Sequence, residues 1–364
     1  MNKLFIIGNG FDLAHGSKTR YEDFLLWYLK PAALRASENG CFEDDILSIS
    51  QGDTSPLLYE NWVNQSASVR ELISMLEKKG YKLNPKSNLF GKILDDGVYR
   101  WVDIENTYYQ ELKLILKRYG ADETPNELID LNNTLDSLRD KLVKYLQENY
   151  SEITLDVESS SFYTILSQVD AYEGDISDVE EGGFVQPLVE SNSLFVNFNY
   201  TPLVQQYFNE IPNTLFRFDL IQIHGSIENP ESIVFGFGDE LDDVYHEMER
   251  KNNNDYFKHI KSFKYFQDEN YQKLMSFVDS DNFEVIVLGH SLGLSDRTML
   301  AQIFEHENLE QVQLYYYGDK EQNDFTEKTY EISRHFSDKG RMRLKVVNFQ
   351  DSKPMPQVEL EESI

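Results

Sequence analysis

Glycines and polar residues follow the first apolar segment of the chain, in the order Gly8-Asn9-Gly10-Phe11-Asp12. Glycines at the end of a strand allow a sharp turn and the close approach of a ligand, and the N–H groups of a following helix can bind phosphate. The complete dinucleotide fingerprint G-x-G-x-x-G is not met, because a leucine stands where the third glycine belongs. Two interpretations therefore remain open: a phosphate-binding turn, or a tight strand-to-helix turn in which Asp12 caps the helix.

Two later apolar segments also end in polar groups. The segment LFVNF is followed by Asn199, Tyr200 and Thr201, and the segment LIQI is followed by His224 and Gly225. Taken alone, each set can be structural, as a helix cap or as a hydrogen-bonded histidine. Because the carboxyl ends of parallel strands meet at one edge of a sheet, however, all three turns would face a single crevice. This convergence favours a ligand site, since folding alone does not require it.

A fourth turn, Gly289-His290-Ser291-Leu292-Gly293, has the form G-x-S-x-G. This pattern is typical of the nucleophile elbow of α/β-hydrolases and would make Ser291 a nucleophile. Such an enzyme needs an acid and then a histidine later in the chain, and the two later histidines both lie in polar helical sequence. We favour the other interpretation, in which the glycines allow a close backbone approach and Ser295 and Asp296 cap the next helix.

The elements that must position these turns alternate along the chain. Several strand-length segments are apolar at consecutive positions, which is typical of strands covered on both faces. Helical patterns lie between most of them, so the sequence predicts an α/β fold with a parallel sheet. The strands are predicted at 3–7, 193–198, 218–223, 232–236, 283–288, 312–317 and 343–348. The helices between them are predicted at 202–209, 255–278, 296–307 and 322–337.

About 185 residues with almost no strand signal separate the first two strands, which exceeds an ordinary connection. We predict a helical insertion at 21–189, with helices at 21–30, 57–79, 101–118, 127–149 and 161–170. Residues 1–20 and 190–350 would form one discontinuous domain, and 351–364 a tail. Within the insertion, Trp101, Glu105 and Tyr108 share a helix face, so we expect them to pack on the sheet, with Glu105 able to enter the pocket. The acidic stretch 172–183 is predicted to be a solvated loop.

The formal charge is −29, from 63 Asp and Glu against 34 Lys and Arg. This charge disfavours nucleic acid as a main partner, because no basic stripe is present to bind a phosphate backbone. The single cysteine, Cys41, cannot form an internal disulfide, and neither a signal peptide nor a membrane span is recognisable, so we expect a cytoplasmic protein. An acidic cluster at 239–247 could bind a metal ion, but a solvated face is the preferred interpretation and no metal is predicted.

Five motifs in this order resemble the phage abortive-infection AbiH family: LFIIGNGFDLAHGSKTRYEDF, WVDIENTY, FVNFNYT, IHGS with IVFGFGD, and LGHSLGLSDR. The resemblance covers nearly the whole chain. It implies an antiviral defence protein that a phage component triggers.

The chain bears a more distant resemblance to the sirtuin-like NAD-binding domains of bacterial antiphage systems. That resemblance implies a Rossmann-like fold, with NAD or an ADP-ribose-like nucleotide as the ligand and no further cofactor. It also implies that Asn199 and His224 promote cleavage of the nicotinamide–ribose bond. The sequence departs from the pattern at Thr201, where an acid is expected, and at Asp12, which replaces an apolar residue.

Cleavage of this bond requires oriented dipoles near the developing cation and a base acting on water or a ribose hydroxyl. Asn199 can hold such a group and His224, neutral near pH 7 if unperturbed, can take the proton. Asp12 would then accept ribose hydroxyls or stabilise positive charge. A non-catalytic sensor of a nucleotide or phage component is the competing hypothesis, and a homo-oligomer is compatible with either.

Overall fold

The chain folds around a parallel β-sheet, with a second, smaller sheet beside it. The computed structural model describes residues 1–52, 62–95, 101–120, 124–150, 157, 160–167, 192–210, 217–250 and 253–358. The described strands are β1 (Asn2–Ile7), β2 (Cys41–Glu43), β3 (Leu47–Gln51), β4 (Tyr81–Pro85), β5 (Asn192–Asn197), β6 (Arg217–Gln222), β7 (Phe283–Leu288) and β8 (Leu309–Leu314).

The described helices surround the sheets. They are α1 (Asn9–Ala14), α2 (Tyr21–Asn39), α3 (Trp62–Gln65), α4 (Val69–Lys78), α5 (Asn88–Asp95), α6 (Trp101–Tyr119), α7 (Asn126–Asn149), α8 (Ser161–Ser167), α9 (Leu203–Glu210), α10 (Asp243–Glu249), α11 (Lys261–Lys264), α12 (Asn270–Ser280), α13 (Arg297–Phe304), α14 (Phe325–Ser333) and α15 (Lys339–Lys345).

The large sheet has the order β6-β5-β1-β7-β8, and all four neighbouring pairs are parallel. Ile7 is aligned with Asn197 on one side and with Leu288 on the other. The predicted α/β fold is confirmed, as is the pairing of the first strand with the strand that follows the insertion. Strands β5 and β6 are added on one side of β1, and strands β7 and β8 are then added on its other side. Because the order reverses between β1 and β7, the crevice beyond their carboxyl ends is the expected ligand position of a Rossmann-like sheet.

Strand β1 is apolar at consecutive positions because both of its faces are covered. Leu4 and Ile6 belong to one apolar core, which contains side chains of α12 and α13. Phe5 and Ile7 belong to the opposite core, where the ring of Phe5 stacks on that of Phe195 at 4.2 Å. The central strand is therefore held from both sides, which fixes the position of the turn that follows it.

The insertion is not purely helical, which corrects the sequence prediction. Strands β2, β3 and β4 form an antiparallel sheet that packs on α2 and α4. Strand β3 alternates between the core and the surface, with Leu47 and Ile49 buried, but five residues give too short a pattern to stand out. The predicted loop at 172–183 lies outside the described residues, and so do the parts of the predicted helices at 57–61 and 168–170.

Two predicted strands are wrong. The segment 232–236 begins at the end of a 3₁₀ turn and does not join the sheet, because Val234 N–H donates to the His224 carbonyl and Gly236 N–H donates to the Glu105 carboxylate. The first half of 343–348 lies in α15, which begins after Asp338 caps it by accepting a bond from Gly340 N–H. The predicted helix 255–278 is divided into a 3₁₀ turn at 254–257, α11 and α12.

Within the described parts of the chain, none of the helices combines the length and the apolar character needed to cross a bilayer.

Candidate functional site

A cavity of about 750 Å³ lies at the carboxyl edge of the parallel sheet, at the point where the strand order reverses. This volume suits a nucleotide-sized ligand. The cavity brings together residues that follow four different strands. Of the residues predicted to form a site, it is lined by Gly8, Asn9, Gly10, Asp12, Asn199, Tyr200, Thr201, His224, Gly289, His290 and Ser291. Their catalytic and binding roles stay predictions.

Two predicted binding residues, Phe11 and Gly225, do not line the cavity. Phe11 is fully buried and packs against Phe162 and Tyr207. Gly225 has a φ of +79°, and a side chain there would meet the Ser232 carbonyl oxygen at 2.2 Å. Both residues therefore shape the turns that carry the lining residues.

The glycines after β1 and β7 allow two backbones to meet. A Cβ atom on Gly8 would lie 2.4 Å from the Cα of His290, and one on Gly289 would lie 2.2 Å from the Phe11 nitrogen. Gly10 N–H donates to the Gly289 carbonyl and Phe11 N–H donates to the Gly8 carbonyl, at 2.9 and 2.8 Å. Two amides that a phosphate-binding turn would use are thus bonded within the protein. Backbone contact is the role that the geometry gives to these glycines.

Asp12 lies inside α1 and is not its cap, since Gly8 occupies the N-cap position. Its buried carboxylate accepts a bond from Nδ2 of Asn199 at 2.7 Å and from Oγ1 of Thr201 at 2.5 Å. Burial raises the pKa of Asp12 to about 7, although both of these bonds favour the charged form. The helix-capping interpretation is therefore wrong. Through these two hydrogen bonds, Asp12 links the turn after β1 to the turn after β5.

Beside this contact lies a buried ionic cluster formed by Glu105, His224, Lys261 and Asp296. Nζ of Lys261 lies 2.9 Å from Oε1 of Glu105 and 2.9 Å from Oδ1 of Asp296. Nε2 of His224 lies 3.1 Å from the same oxygen of Asp296. The four side chains come from α6, the turn after β6, the start of α11 and the residue before α13. Helix α6 of the insertion thus completes a site on the sheet, and Glu105 enters the pocket as predicted.

The charges in this cluster depend on one another. Burial alone would raise the pKa of Asp296, but the positive charge of Lys261 outweighs it and, together with the contact to His224, holds this pKa well below its usual value. Burial raises the pKa of Glu105, an effect that Lys261 opposes. Burial alone would lower the pKa of Lys261, and the two carboxylates raise it instead. Asp296 is therefore the ionised partner of His224, and Glu105 is the carboxylate that takes a proton more readily.

His290 also lines this cavity, and its imidazole ring is neutral. Its Nδ1 accepts a bond from Leu292 N–H at 2.9 Å, so the proton of the neutral ring is on Nε2. Burial lowers the pKa of His290 to about 3. The bond to Nδ1 accompanies a left-handed backbone at Leu292, whose φ is 57°. The ring of His290 is therefore neutral near pH 7.

The rim of the cavity carries cationic and aromatic side chains. Arg20 is exposed beside the start of α2, and Lys328 donates to the His290 carbonyl at 3.2 Å. Tyr330 of α14 is 60% exposed and offers an aromatic face next to Arg334. These groups can bind phosphates and a planar base, whereas the cluster around Asp296 lies deeper.

Sequence reasoning missed Lys261 and assigned Asp296 to a helix cap. Asp296 does precede α13, but its side chain caps no backbone group and faces the cluster instead. Lys261 lies in a segment rich in lysine and aromatic residues, with no motif that marks it. A buried lysine can be recognised only when its two carboxylate partners are placed beside it.

The hydrolase interpretation finds no support in the contacts of Ser291. In the described residues, its exposed hydroxyl makes no hydrogen bond to a histidine. Nε2 of His335 bonds to the Leu292 carbonyl at 2.8 Å, and Nε2 of His306 to Asp279 at 3.0 Å. Neither later histidine is therefore paired with Ser291.

Two carboxylates of the acidic cluster at 239–247 form ion pairs within the protein. Asp239 pairs with Arg297 at 3.1 Å, and Asp242 caps α10 and pairs with Lys113. In the described residues, no group of three or more His, Cys, Asp or Glu side chains is arranged to hold a metal ion.

A Rossmann-like sheet with a large cavity at its switch point, to which helix α6 of the insertion contributes Glu105, defines the structural class of this protein. Residues 4–317 match the family described as bacteriophage abortive infection AbiH. The chain belongs to this family and is accordingly a phage abortive-infection protein. No curated protein matched the chain.

Proposed function

We propose that this AbiH-family chain binds NAD in the cavity and hydrolyses its nicotinamide–ribose bond when a phage component activates it. The observation that carries the proposal is the pair formed by His224 and Asp296. It lies inside a cavity of nucleotide size at the ligand edge of a parallel sheet. The distant sirtuin-like resemblance at Asn199 and His224 points to the same chemistry.

The reaction balances with water as the only other reactant. The bond between C1 of the ribose and the nicotinamide nitrogen breaks, and nicotinamide leaves with the electron pair. A water oxygen bonds to C1, and His224 accepts the proton that this water loses. The ionised carboxylate of Asp296 stabilises the imidazolium that forms, and it favours the positive charge that develops on the ribose.

In this proposal, side chains at the rim bind the rest of the dinucleotide. Arg20 and Lys328 are the cationic groups that suit the diphosphate, and the exposed ring of Tyr330 suits a base. Recognition of NAD by these local groups does not require a basic overall charge, because Arg20 and Lys328 both line the cavity itself.

Infected cells provide the test, because they supply the trigger. Cells that carry the wild type are expected to lose NAD after phage infection, with nicotinamide and ADP-ribose formed, as measured by mass spectrometry. His224→Ala and Asp296→Asn should abolish both NAD loss and protection. His246→Ala is the matched control, because His246 is exposed and, among the described residues, its ion pair is with Glu249 of its own helix.

Two outcomes would overturn the proposal. In the first, His224→Ala loses protection, but the protected wild type shows no loss of NAD. This outcome would indicate a non-catalytic sensor, and isothermal titration of the purified protein with NAD and ADP-ribose would then measure its binding. Protection lost with Ser291→Ala alone would instead indicate a serine hydrolase. The proposed mechanism expects Ser291→Ala to be nearly silent, since its hydroxyl is paired with no histidine among the described residues.

A further inference from the structure

The carboxamide of Asn199 can adopt only one of its two orientations. Its Nδ2 lies 3.1 Å from the Gly8 carbonyl and 2.7 Å from Oδ1 of Asp12. Both neighbours accept hydrogen bonds, so a rotation of the amide by 180° would place Oδ1 against two other acceptors. The two hydrogens of Nδ2 are therefore both used inside the protein.

The carbonyl oxygen of the same side chain has no such partner. Within the described part of the chain, Oδ1 of Asn199 accepts no hydrogen bond, although Asn199 lines the cavity. An amide oxygen can only accept hydrogen bonds. A ligand that satisfies it must present an N–H or O–H group at this point of the cavity wall.

We propose that Asp12 is a positioning residue, which holds the Asn199 carboxamide with its oxygen towards the cavity to accept a hydrogen bond from a sugar hydroxyl. This inference rests on the proposed function and makes the site selective for ribose over a sugar that lacks hydroxyls. It also explains why the carboxylate of Asp12 is present directly after a glycine turn. A phosphate is not its expected partner, because both oxygens of its carboxylate already accept hydrogen bonds, one from Asn199 and one from Thr201.

The turn that carries Asn199 is held firmly enough for this role. Asn199 N–H donates to Oδ1 of Asn197 at 3.0 Å, and Nδ2 of Asn197 donates to the Thr201 carbonyl at 3.3 Å. Thr201 fixes the second oxygen of Asp12. A protonated Asp12 can donate to Oγ1 of Thr201 and still accept from Asn199 through Oδ1, so the orientation survives titration of Asp12.

The first measurement needs no ligand. In protein labelled on asparagine, the side-chain amide of Asn199 is expected to exchange its hydrogens slowly in the wild type and rapidly in Asp12→Ala. Asp12→Asn should keep slow exchange, because the new amide can place its oxygen at the position of Oδ1 and its nitrogen towards Oγ1 of Thr201. Asp281→Ala, at an exposed helix end, is the control. Slow exchange that persists in Asp12→Ala would overturn the positioning role.

The second measurement tests hydroxyl recognition by titration. The wild type should bind ADP-ribose about tenfold more tightly than an analogue without the two hydroxyls of the terminal ribose, a factor typical of one hydrogen bond. Asp12→Ala should lose this preference, and Asp12→Asn should retain it. Equal affinities in the wild type would overturn hydroxyl recognition by Asn199. Binding of neither compound would overturn the proposed function, while the exchange rates would still decide the role of Asp12.

Discussion

Nε2 of His224 lies 3.1 Å from Oδ1 of Asp296, although the two residues follow strands that are separated in the sheet by β5 and β1. Both side chains are buried, and Lys261 bonds to the same oxygen of Asp296. The turns beyond the sheet therefore bring an imidazole and an ionised carboxylate together over the central strands.

Because His224 and Asp296 would serve one step, their substitutions should not be additive. His224→Ala and Asp296→Asn are each expected to lower kcat/KM for NAD by about 10²–10⁴-fold in the activated protein. The double variant should be little worse than the worse single variant. Chromatography of the released nicotinamide measures kcat/KM for each variant. If the fold reduction in the double variant equals the product of the two single reductions, the residues have independent roles.

Lys261 should be required for stability as well as for the site. Lys261→Met leaves the carboxylates of Glu105 and Asp296 buried without their cation and is expected to lower the free energy of unfolding by about 3–5 kcal/mol. Adding Glu105→Gln should recover part of this loss, because one unpaired charge is removed. Urea unfolding measures both changes. Lys273→Met, an exposed control, should stay within about 0.5 kcal/mol of the wild type.

Gly289 and Gly40 form a matched pair for the contact between the turns. Their φ angles are +71° and +75°, so alanine at either position carries a similar cost of about 1–2 kcal/mol for the left-handed backbone. Only at Gly289 would the new Cβ also lie 2.2 Å from the Phe11 nitrogen, whereas at Gly40 it meets nothing within 4 Å. Gly289→Ala should therefore be less stable than Gly40→Ala by about 1–3 kcal/mol or more. Equal unfolding midpoints would contradict the close contact.

His15 should make stability depend on pH. Burial lowers the pKa of His15 to about 4, and its ring bonds to the Phe11 carbonyl and to the Tyr207 hydroxyl. The unfolded chain takes up a proton near pH 6.5 while the folded chain does not, so the contribution of His15 is complete above that pH. It is lost as the pH falls towards 4, by up to about 1.4 kcal/mol per pH unit.

Comparison with His15→Gln isolates this effect. The difference in unfolding free energy between the wild type and His15→Gln, measured in urea, should be constant above pH 7. It should shrink between pH 6.5 and pH 4. A difference that does not change with pH over this range would show that His15 titrates normally in the folded protein.

The sequence by itself determined the parallel sheet and the four turns at its edge. Apolar residues at consecutive positions, as in Leu4–Ile7, identify strands that are covered on both faces, and glycines after β1 and β7 mark turns. These signals are local, because each depends on a few neighbouring residues and on the backbone angles that they allow. The same reasoning missed the small sheet β2-β3-β4, whose strands of three to five residues are too short to display a period.

Only the tertiary structure decided which charged residues form the site. Lys261 is separated by 156 positions from Glu105 and by 35 from Asp296, and none of the three lies in a pattern that predicts the others. The role of Asp12 depended in the same way on Asn199, 187 positions later. Hydrogen bonds and ion pairs act over about 3 Å, so residues far apart in the chain acquire these partners only when the fold places them together.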